Sequence, residues 1–286
     1  MMLPNLISAA ELVELHSESG MLVVDCRVAL ADPDQGARDH ALAHVPGAVY
    51  AHLDRDLSDL SRRGLGRHPP PDDAAFSTTL SRWGWNPDLA VVAYDDANGA
   101  LAAARLWWLL RVAGHPRVTV LDGGLAAWRS ANLPLESGEV KRDPSSVRVA
   151  FDPAAIVGFD ELEQLRASGD LLLLDARAAP RYRGEVEPLD AVAGHVPGAS
   201  NRPYSENLDP SGRFKSRDEL HREFENLLAG RDPREVVHMC GSGVTACHNL
   251  LAMEHAGLTG SRVFAPSWSG WVSDPSRPIA TGTEST

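Results

Sequence analysis

The chain has 286 residues, 43% of them hydrophobic and 23% charged, which is ordinary globular composition at a length suited to about two domains. A formal net charge of -12 argues against wrapping nucleic acid or docking on anionic lipid, although a local site can still oppose the global sign. Three cysteines, Cys26, Cys240 and Cys247, are too few for a disulfide scaffold and point to free thiols in a reducing compartment.

In chain order, the start Met1–Ile7 lacks a basic segment leading into a long apolar run, so no secretory signal is read there. A helix is expected over Ala9–Ser17, a buried strand at Leu22–Val24, a second strand at Ala90–Ala93, a helix over Ala100–Ala113 and a strand at Val118–Leu121. Trp107 and Trp108 read as core packing. From Glu136 to Pro153 the chain turns mostly polar, with Pro144, Ser145, Ser146 and Pro153, and reads as a linker. The resulting division is a domain over 1–140, a linker over 141–153 and a second domain over 154–286. The second half gives a helix at Phe159–Ala167, a strand at Leu171–Leu174, helices at Arg217–Leu228 and Val244–Ala256, and between those two a strand containing Val236–Val237. The tail after Trp271, rich in Ser, Thr and Pro, is expected to wrap the surface or fray. The apolar stretches are short and interrupted, so no membrane span is expected, and the cytoplasm is the default location.

The two halves repeat one another. Leu22-Val23-Val24-Asp25-Cys26-Arg27 is answered by Leu172-Leu173-Leu174-Asp175-Ala176-Arg177. Ala43-His44-Val45-Pro46-Gly47-Ala48 is answered by Gly194-His195-Val196-Pro197-Gly198-Ala199. Val91-Val92-Ala93-Tyr94-Asp95 is answered by Val236-Val237-His238-Met239-Cys240, and Gly123-Gly124-Leu125-Ala126-Ala127-Trp128, more weakly, by Pro266-Ser267-Trp268-Ser269-Gly270-Trp271. The pairs keep their order at offsets of roughly 143 to 151 residues, which implies a duplicated domain. Alternating strands and helices make each copy an α/β domain with a mostly parallel sheet flanked by helices.

The chemistry concentrates after the strand that ends at Met239. Cys240-Gly241-Ser242-Gly243 precedes the helix opened by Val244-Thr245-Ala246. Two glycines let the backbone fold tightly enough for several N–H groups to face the sulfur. The helix start adds partial positive charge at the same point, and both favour a negatively charged sulfur. In the first repeat, Asp95 stands where the cysteine would be, so that copy of the loop has no thiol. Cys26, ending a strand, and Cys247, inside a helix, read as packed core thiols, with a resolving-thiol role for Cys247 as the alternative. His238, Cys240, Cys247 and His248 lack the twice-repeated close cysteine pairs of a zinc knuckle, so no metal is expected. A Cys-x5-Arg phosphate loop is excluded because Ala246 stands where its arginine would be.

The loop Cys240 to Ala246, together with Trp107-Trp108, Gly114-His115, Ser267-Trp268-Ser269-Gly270-Trp271 and the repeated motifs, resembles the tandem rhodanese-like sulfurtransferases, the 3-mercaptopyruvate group in particular. The resemblance covers nearly the whole chain. It implies two rhodanese-like domains, a non-catalytic first and a catalytic second, with Cys240 carrying sulfur as a persulfide. It further implies a small anionic sulfur donor, a thiol acceptor such as thioredoxin or a small thiol, or cyanide, and no cofactor. It gives Ser242 a proton-relay or hydrogen-bonding role, with His44 as the matching histidine and Asp32 or Asp34 as the aspartate. Substrate binding falls to Arg181, whose guanidinium suits a planar carboxylate, and to the loop residues Gly241, Gly243, Val244 and Thr245. Arg183 is a further candidate, and for both arginines the alternative is a surface pair with Glu185 or Glu187. His44 and His195 have an alternative reading as imidazoles that tie down the Val-Pro-Gly turns following them. Asp25, Arg27, Asp175 and Arg177 read as paired scaffold charges. The resemblance includes a second arginine a few residues beyond Arg181; Glu185 to Asp190 contains none. A thiosulfate-preferring enzyme is the first alternative, disfavoured by the uncharged Gly241-Ser242, and a non-enzymatic persulfide carrier is the second.

Overall fold

The computed structural model describes residues 3–16, 20–169 and 171–283. The chain divides into two compact units. The first holds the chain up to Asp59, then Pro70–Asp152 and Pro210–Phe214; the second holds Leu60–Pro69, Pro153–Asp209 and everything from Lys215. Each unit therefore takes a short segment from the other's stretch of sequence, which a single linker over 141–153 does not anticipate. Residues of that linker lie along the first unit. Ser145 and Val147 donate their backbone N–H groups to the Ser81 carbonyl and hydroxyl at 2.9 and 3.2 Å, and Asp152 donates to the Val112 carbonyl at 2.9 Å.

The first unit contains β1 (Leu6–Ile7), α1 (Ala9–His16), β2 (Met21–Asp25), α2 (Gln35–Leu42), β3 (Val49–Tyr50), α3 (Leu53–Asp56), α4 (Asp73–Arg82), β4 (Ala90–Tyr94), α5 (Ala102–Val112), β5 (Val118–Leu121) and α6 (Gly124–Ser130). The expected end of the first helix, Ser17, lies outside the described residues. The second unit contains β6 (Ile156–Val157), α7 (Phe159–Ser168), β7 (Leu172–Asp175), α8 (Ala179–Tyr182), β8 (Ala199–Asn201), α9 (Arg217–Leu228), β9 (Val236–Met239), α10 (Thr245–His255), β10 (Arg262–Phe264) and α11 (Ser267–Trp271).

Each unit has a five-stranded, wholly parallel sheet, ordered β1-β5-β4-β2-β3 in the first and β6-β10-β9-β7-β8 in the second. The two orders are identical position by position, so the repeat read in the sequence is a repeat of topology. The inner strands β4 and β9 are buried along their whole length, as a parallel sheet covered on both faces requires. Helix α5 is buried almost all round, and its Arg105 guanidinium lies over the Trp108 ring at 4.9 Å. On the exposed side of the second unit, α9 begins with a reciprocal cap in which Ser216 and Glu219 satisfy each other's backbone N–H groups.

Two buried charge pairs brace the strand ends. Arg27 Nη2 meets Asp25 Oδ2 at 2.6 Å and donates to the Ala43 carbonyl; Arg177 Nη2 meets Asp175 Oδ2 at 2.6 Å and donates to the Gly194 carbonyl. The same turn is closed in both units by a returning segment: His44 bridges Glu136, and His195 bridges Ala280. The C-terminal tail is thus pinned at Ala280, and again where Gly282 donates to the Arg183 carbonyl at 2.9 Å.

Candidate active site

Cys240 follows the last residue of β9, which lies between β10 and β7 in the second sheet. This is the carboxyl edge of an open parallel sheet, where loops are free to build a site. Cys240 Sγ accepts the Gly243 N–H at 3.2 Å. The strand end is tied on both sides: the Cys240 N–H donates to Ser267 Oγ at 3.1 Å, and its carbonyl accepts the Trp268 N–H at 3.0 Å. Ser269 N–H reaches the Gly241 carbonyl at 2.9 Å. Gly243 has a φ of +77°, and a Cβ there would come within 2.4 Å of the Ala265 carbonyl oxygen, so both the backbone conformation and the space demand glycine. Val244 is the cap of α10 and Thr245 its first residue, which directs the helix start at the loop. Cys240 and Ser242 are 2% and 7% exposed, so the sulfur sits in a nearly closed cradle.

Arg67 and His68 were not among the residues singled out from the sequence. They belong to Leu60–Pro69, the segment that the second unit takes from the first half of the chain. His68 Nδ1 lies 2.8 Å from Ser242 Oγ. Arg67 forms an ion pair with Asp190, and its backbone N–H donates to Ser269 Oγ at 3.0 Å. The approach depends on Gly66, whose φ is +92° and whose missing Cβ would fall 2.4 Å from the Pro266 carbonyl oxygen. The local signal was thin: Gly64, Gly66 and the run Pro69–Pro71 mark a shaped loop but do not say what it is shaped against.

Arg181 lies on α8 and is engaged by acids. Its Nη2 and Nε reach the two oxygens of Glu187 at 2.6 and 3.2 Å, and Nη2 also meets Asp190 Oδ2 at 3.3 Å. Glu187 additionally contacts Arg177 Nη1 at 3.4 Å. Burial works against the Glu187 charge, but the Arg181 hydrogen bonds and the backbone N–H of Leu189 outweigh it and hold the carboxyl below its usual range. A Cβ built on Gly241 would lie 2.9 Å from Arg67 Nη2 and 3.5 Å from Arg181 Nη2, so both guanidiniums stand against the loop.

The remaining sequence candidates have partners of their own. Arg183 makes a bidentate surface pair with Glu185, at 2.7 and 3.0 Å. His44 is in the first unit, fully buried, with Nδ1 2.7 Å from the His40 carbonyl oxygen and its ring stacked on His40. His195 repeats that arrangement in the second unit, with Nδ1 2.8 Å from the Tyr182 carbonyl oxygen and its ring stacked on Tyr182. The shared geometry is that of an imidazole anchoring a turn. Asp32 pairs with Arg38 and Asp34 with Arg55, both at the surface. His238 is buried and reaches Ser261 Oγ at 3.1 Å; burial alone pushes its imidazole down to about 3, keeping it neutral. Cys247 points its thiol to the Gly243 carbonyl at 3.3 Å, inside the core.

Asp95 occupies in the first unit the place of Cys240. It is fully buried, and its carboxylate accepts the backbone N–H groups of Ala97, Gly99, Leu101 and Ala103 at 2.9, 2.8, 3.2 and 3.2 Å. The corresponding loop of the first unit is therefore built to hold an anion, and a fixed side chain fills it.

A model of the Rhodanese-like domain matches residues 8–131 and 159–274. The chain is 49% identical over 279 residues to a probable 3-mercaptopyruvate sulfurtransferase of Pseudomonas aeruginosa, covering 97% of this chain and 98% of that one. It is 41% identical over 280 residues to a Mycobacterium tuberculosis protein provisionally named thiosulfate sulfurtransferase SseB, covering 97% of both. Among solved structures, SseA of Escherichia coli, described as a 3-mercaptopyruvate sulfurtransferase, superimposes with a TM-score of 0.80 at 31% identity, over 93% of this chain and all of that one.

Proposed function

The chain belongs to the rhodanese-like sulfurtransferases, and from that premise we propose that it moves sulfane sulfur from 3-mercaptopyruvate, through a persulfide on Cys240, to a thiol or to cyanide. The observation that carries the reading is the Cys240 loop itself: a sulfur at the carboxyl edge of the sheet, receiving a backbone N–H, with a hydroxyl–imidazole pair, Ser242 and His68, beside it.

The Cys240 thiolate attacks the donor sulfur. A sulfur–sulfur bond forms as the carbon–sulfur bond breaks, and the electron pair leaves on carbon as the enolate of pyruvate. That enolate needs one proton, and the Ser242–His68 pair is the local group able to deliver it. An acceptor thiolate then attacks the outer sulfur, and Cys240 leaves as thiolate. Loop N–H groups and the start of α10 favour the anionic sulfur at each stage. No cofactor is needed. Arg181 is the carboxylate-binding residue of this scheme, assisted by the backbone of Gly241, Gly243, Val244 and Thr245; Arg183 and His44 have no part in it. A thioredoxin or small-thiol acceptor in a reducing cytoplasm completes the reading. No helix among the described residues is long and apolar enough to cross a membrane.

A thiosulfate donor is the second reading, favoured by one observation: Arg67 adds a cation against Gly241. Steady-state rates with the two donors, measured side by side with intact-mass detection of sulfur on Cys240, separate them. A higher kcat/KM with mercaptopyruvate supports the first reading; a clear preference for thiosulfate replaces it with the second.

A further inference from the structure

Asp190 is nearly buried, with its side chain 5% exposed, and it lies between two guanidiniums: it pairs with Arg67 through one oxygen and meets Arg181 Nη2 at 3.3 Å through the other. Both guanidiniums also stand against Gly241, beside the nucleophile. Counting outward from the loop, Arg67, Arg177 and Arg181 face Asp175, Glu187 and Asp190, so the ionised groups cancel. Two arginines beside a thiolate would on their own form a strong site for a doubly charged anion. With the acids in place, Arg67 Nη2 and Arg181 Nη1 and Nη2 still stand against Gly241, but the pair presents little net charge.

We propose that Asp190 sets the charge of the sulfur donor: by neutralising the Arg67–Arg181 pair it selects a monoanionic carboxylate donor against a compact dianion. The proposal rests on the function read above and assigns its specificity to residues from two distant stretches of sequence. Coulomb energy scales with the charge of the ligand, so a change of one unit at this point acts about twice as strongly on thiosulfate as on mercaptopyruvate. Glu187 is less suited to this role because it is shared with Arg177 and accepts the backbone N–H groups of Leu189 and Asp190.

The test is the ratio of kcat/KM for thiosulfate to that for mercaptopyruvate in the full-length protein, with sulfur on Cys240 followed by intact mass. Asp190→Asn keeps the shape and removes the charge, and should raise the ratio by about tenfold or more; Arg67→Gln leaves Asp190 unopposed on that side and should lower it by a similar factor. Opposite shifts in the two variants are the expected result. A purely structural role would weaken both donors together, so an unchanged ratio, or the same direction of change in both variants, overturns the proposal even if one variant is poorly folded. A wild-type protein that takes sulfur on Cys240 from neither donor overturns the function itself; one that loads normally while the ratio fails to move overturns only the role of Asp190.

Discussion

Ser267 and Cys240 are joined by a hydrogen bond in which the Cys240 backbone N–H donates to the Ser267 hydroxyl at 3.1 Å. Ser267 holds a left-handed φ of +52°, unusual for a residue with a side chain. The equivalent position in the first unit is Gly124, with a φ of +55°. The second unit thus keeps a serine where the backbone favours glycine, and the hydroxyl, donating in turn to the Phe264 carbonyl at 3.0 Å, ties the strand end at Cys240 to β10. Ser267→Gly relieves backbone strain and removes the tie, so its effect on stability should be small, within about 1 kcal/mol. Ser267→Ala removes the tie without relieving the strain and should cost about 1–2 kcal/mol. Both should slow sulfur loading of Cys240, because the loop is less firmly held. Chemical denaturation beside single-turnover loading checks this; loading at the wild-type rate in both variants removes the positioning role.

Cys240→Ser should abolish sulfur transfer while leaving the fold intact, since a hydroxyl cannot hold a transferable sulfane. Intact mass after donor treatment should show one added sulfur on the wild type and none on the variant. Sulfur gained at Cys26 or Cys247 in the variant would mean that the nucleophile is assigned to the wrong thiol. Their burial makes that outcome unexpected, and burial with the neighbouring acids Asp25, Asp95 and Asp56 pushes the Cys26 thiol well up.

His68 and Ser242 should matter more for one donor than the other. Loss of pyruvate from mercaptopyruvate leaves an enolate that must be protonated, whereas sulfite leaves thiosulfate as a stable anion. His68→Ala should therefore lower kcat with mercaptopyruvate by roughly a hundredfold, the usual scale of general acid catalysis, and affect thiosulfate far less. Equal losses with both donors would make His68 a structural residue of the loop.

Much of the fold was legible in the sequence because its inner elements are long or strongly patterned. Helices α5, α7, α9 and α10 lie within two residues of their expected bounds, and β5 spans Val118–Leu121 as expected. The edge strands β1, β3, β6 and β8 have only two or three residues each, too few to carry a period. Helix α4 is weakly signalled, because Ser77, Thr78, Thr79 and Ser81 are poor helix formers, although Asp72 caps it by accepting the Ala75 N–H at 2.7 Å. At the site, Cys240, Ser242 and the glycines were legible because strand, loop and helix are contiguous. Arg67 and His68 were not, because only the tertiary fold carries their segment more than 170 residues along the chain, as the His68–Ser242 separation of 174 shows.

Asp95 offers a test in which pH isolates one group. Burial pushes its carboxyl up to about 6, against the pull of the backbone N–H groups of Gly99, Ala97 and Ala103. The folded state then holds the Asp95 proton more tightly than the unfolded chain, whose value is 3.8. Stability contributed by this proton is absent well above pH 6, appears as pH falls through 6, and is complete below about 4. Asp95→Asn cannot make that gain. Its amide also turns an N–H group toward donors that previously met a carboxylate, so the variant should be less stable at every pH, by about 1–3 kcal/mol at pH 7. The gap between wild type and variant should widen between pH 7 and pH 5, while the acid sensitivity of every other group cancels in the difference. Sulfur loading on Cys240 should be nearly unchanged, because Asp95 belongs to the first unit and its carboxylate is engaged by four backbone N–H groups of that unit. Paired denaturation curves at the two pH values decide the matter: a gap that stays constant, or narrows on acidification, means that Asp95 enters the folded state with an ordinary carboxylate and that its four N–H donors fully compensate its burial.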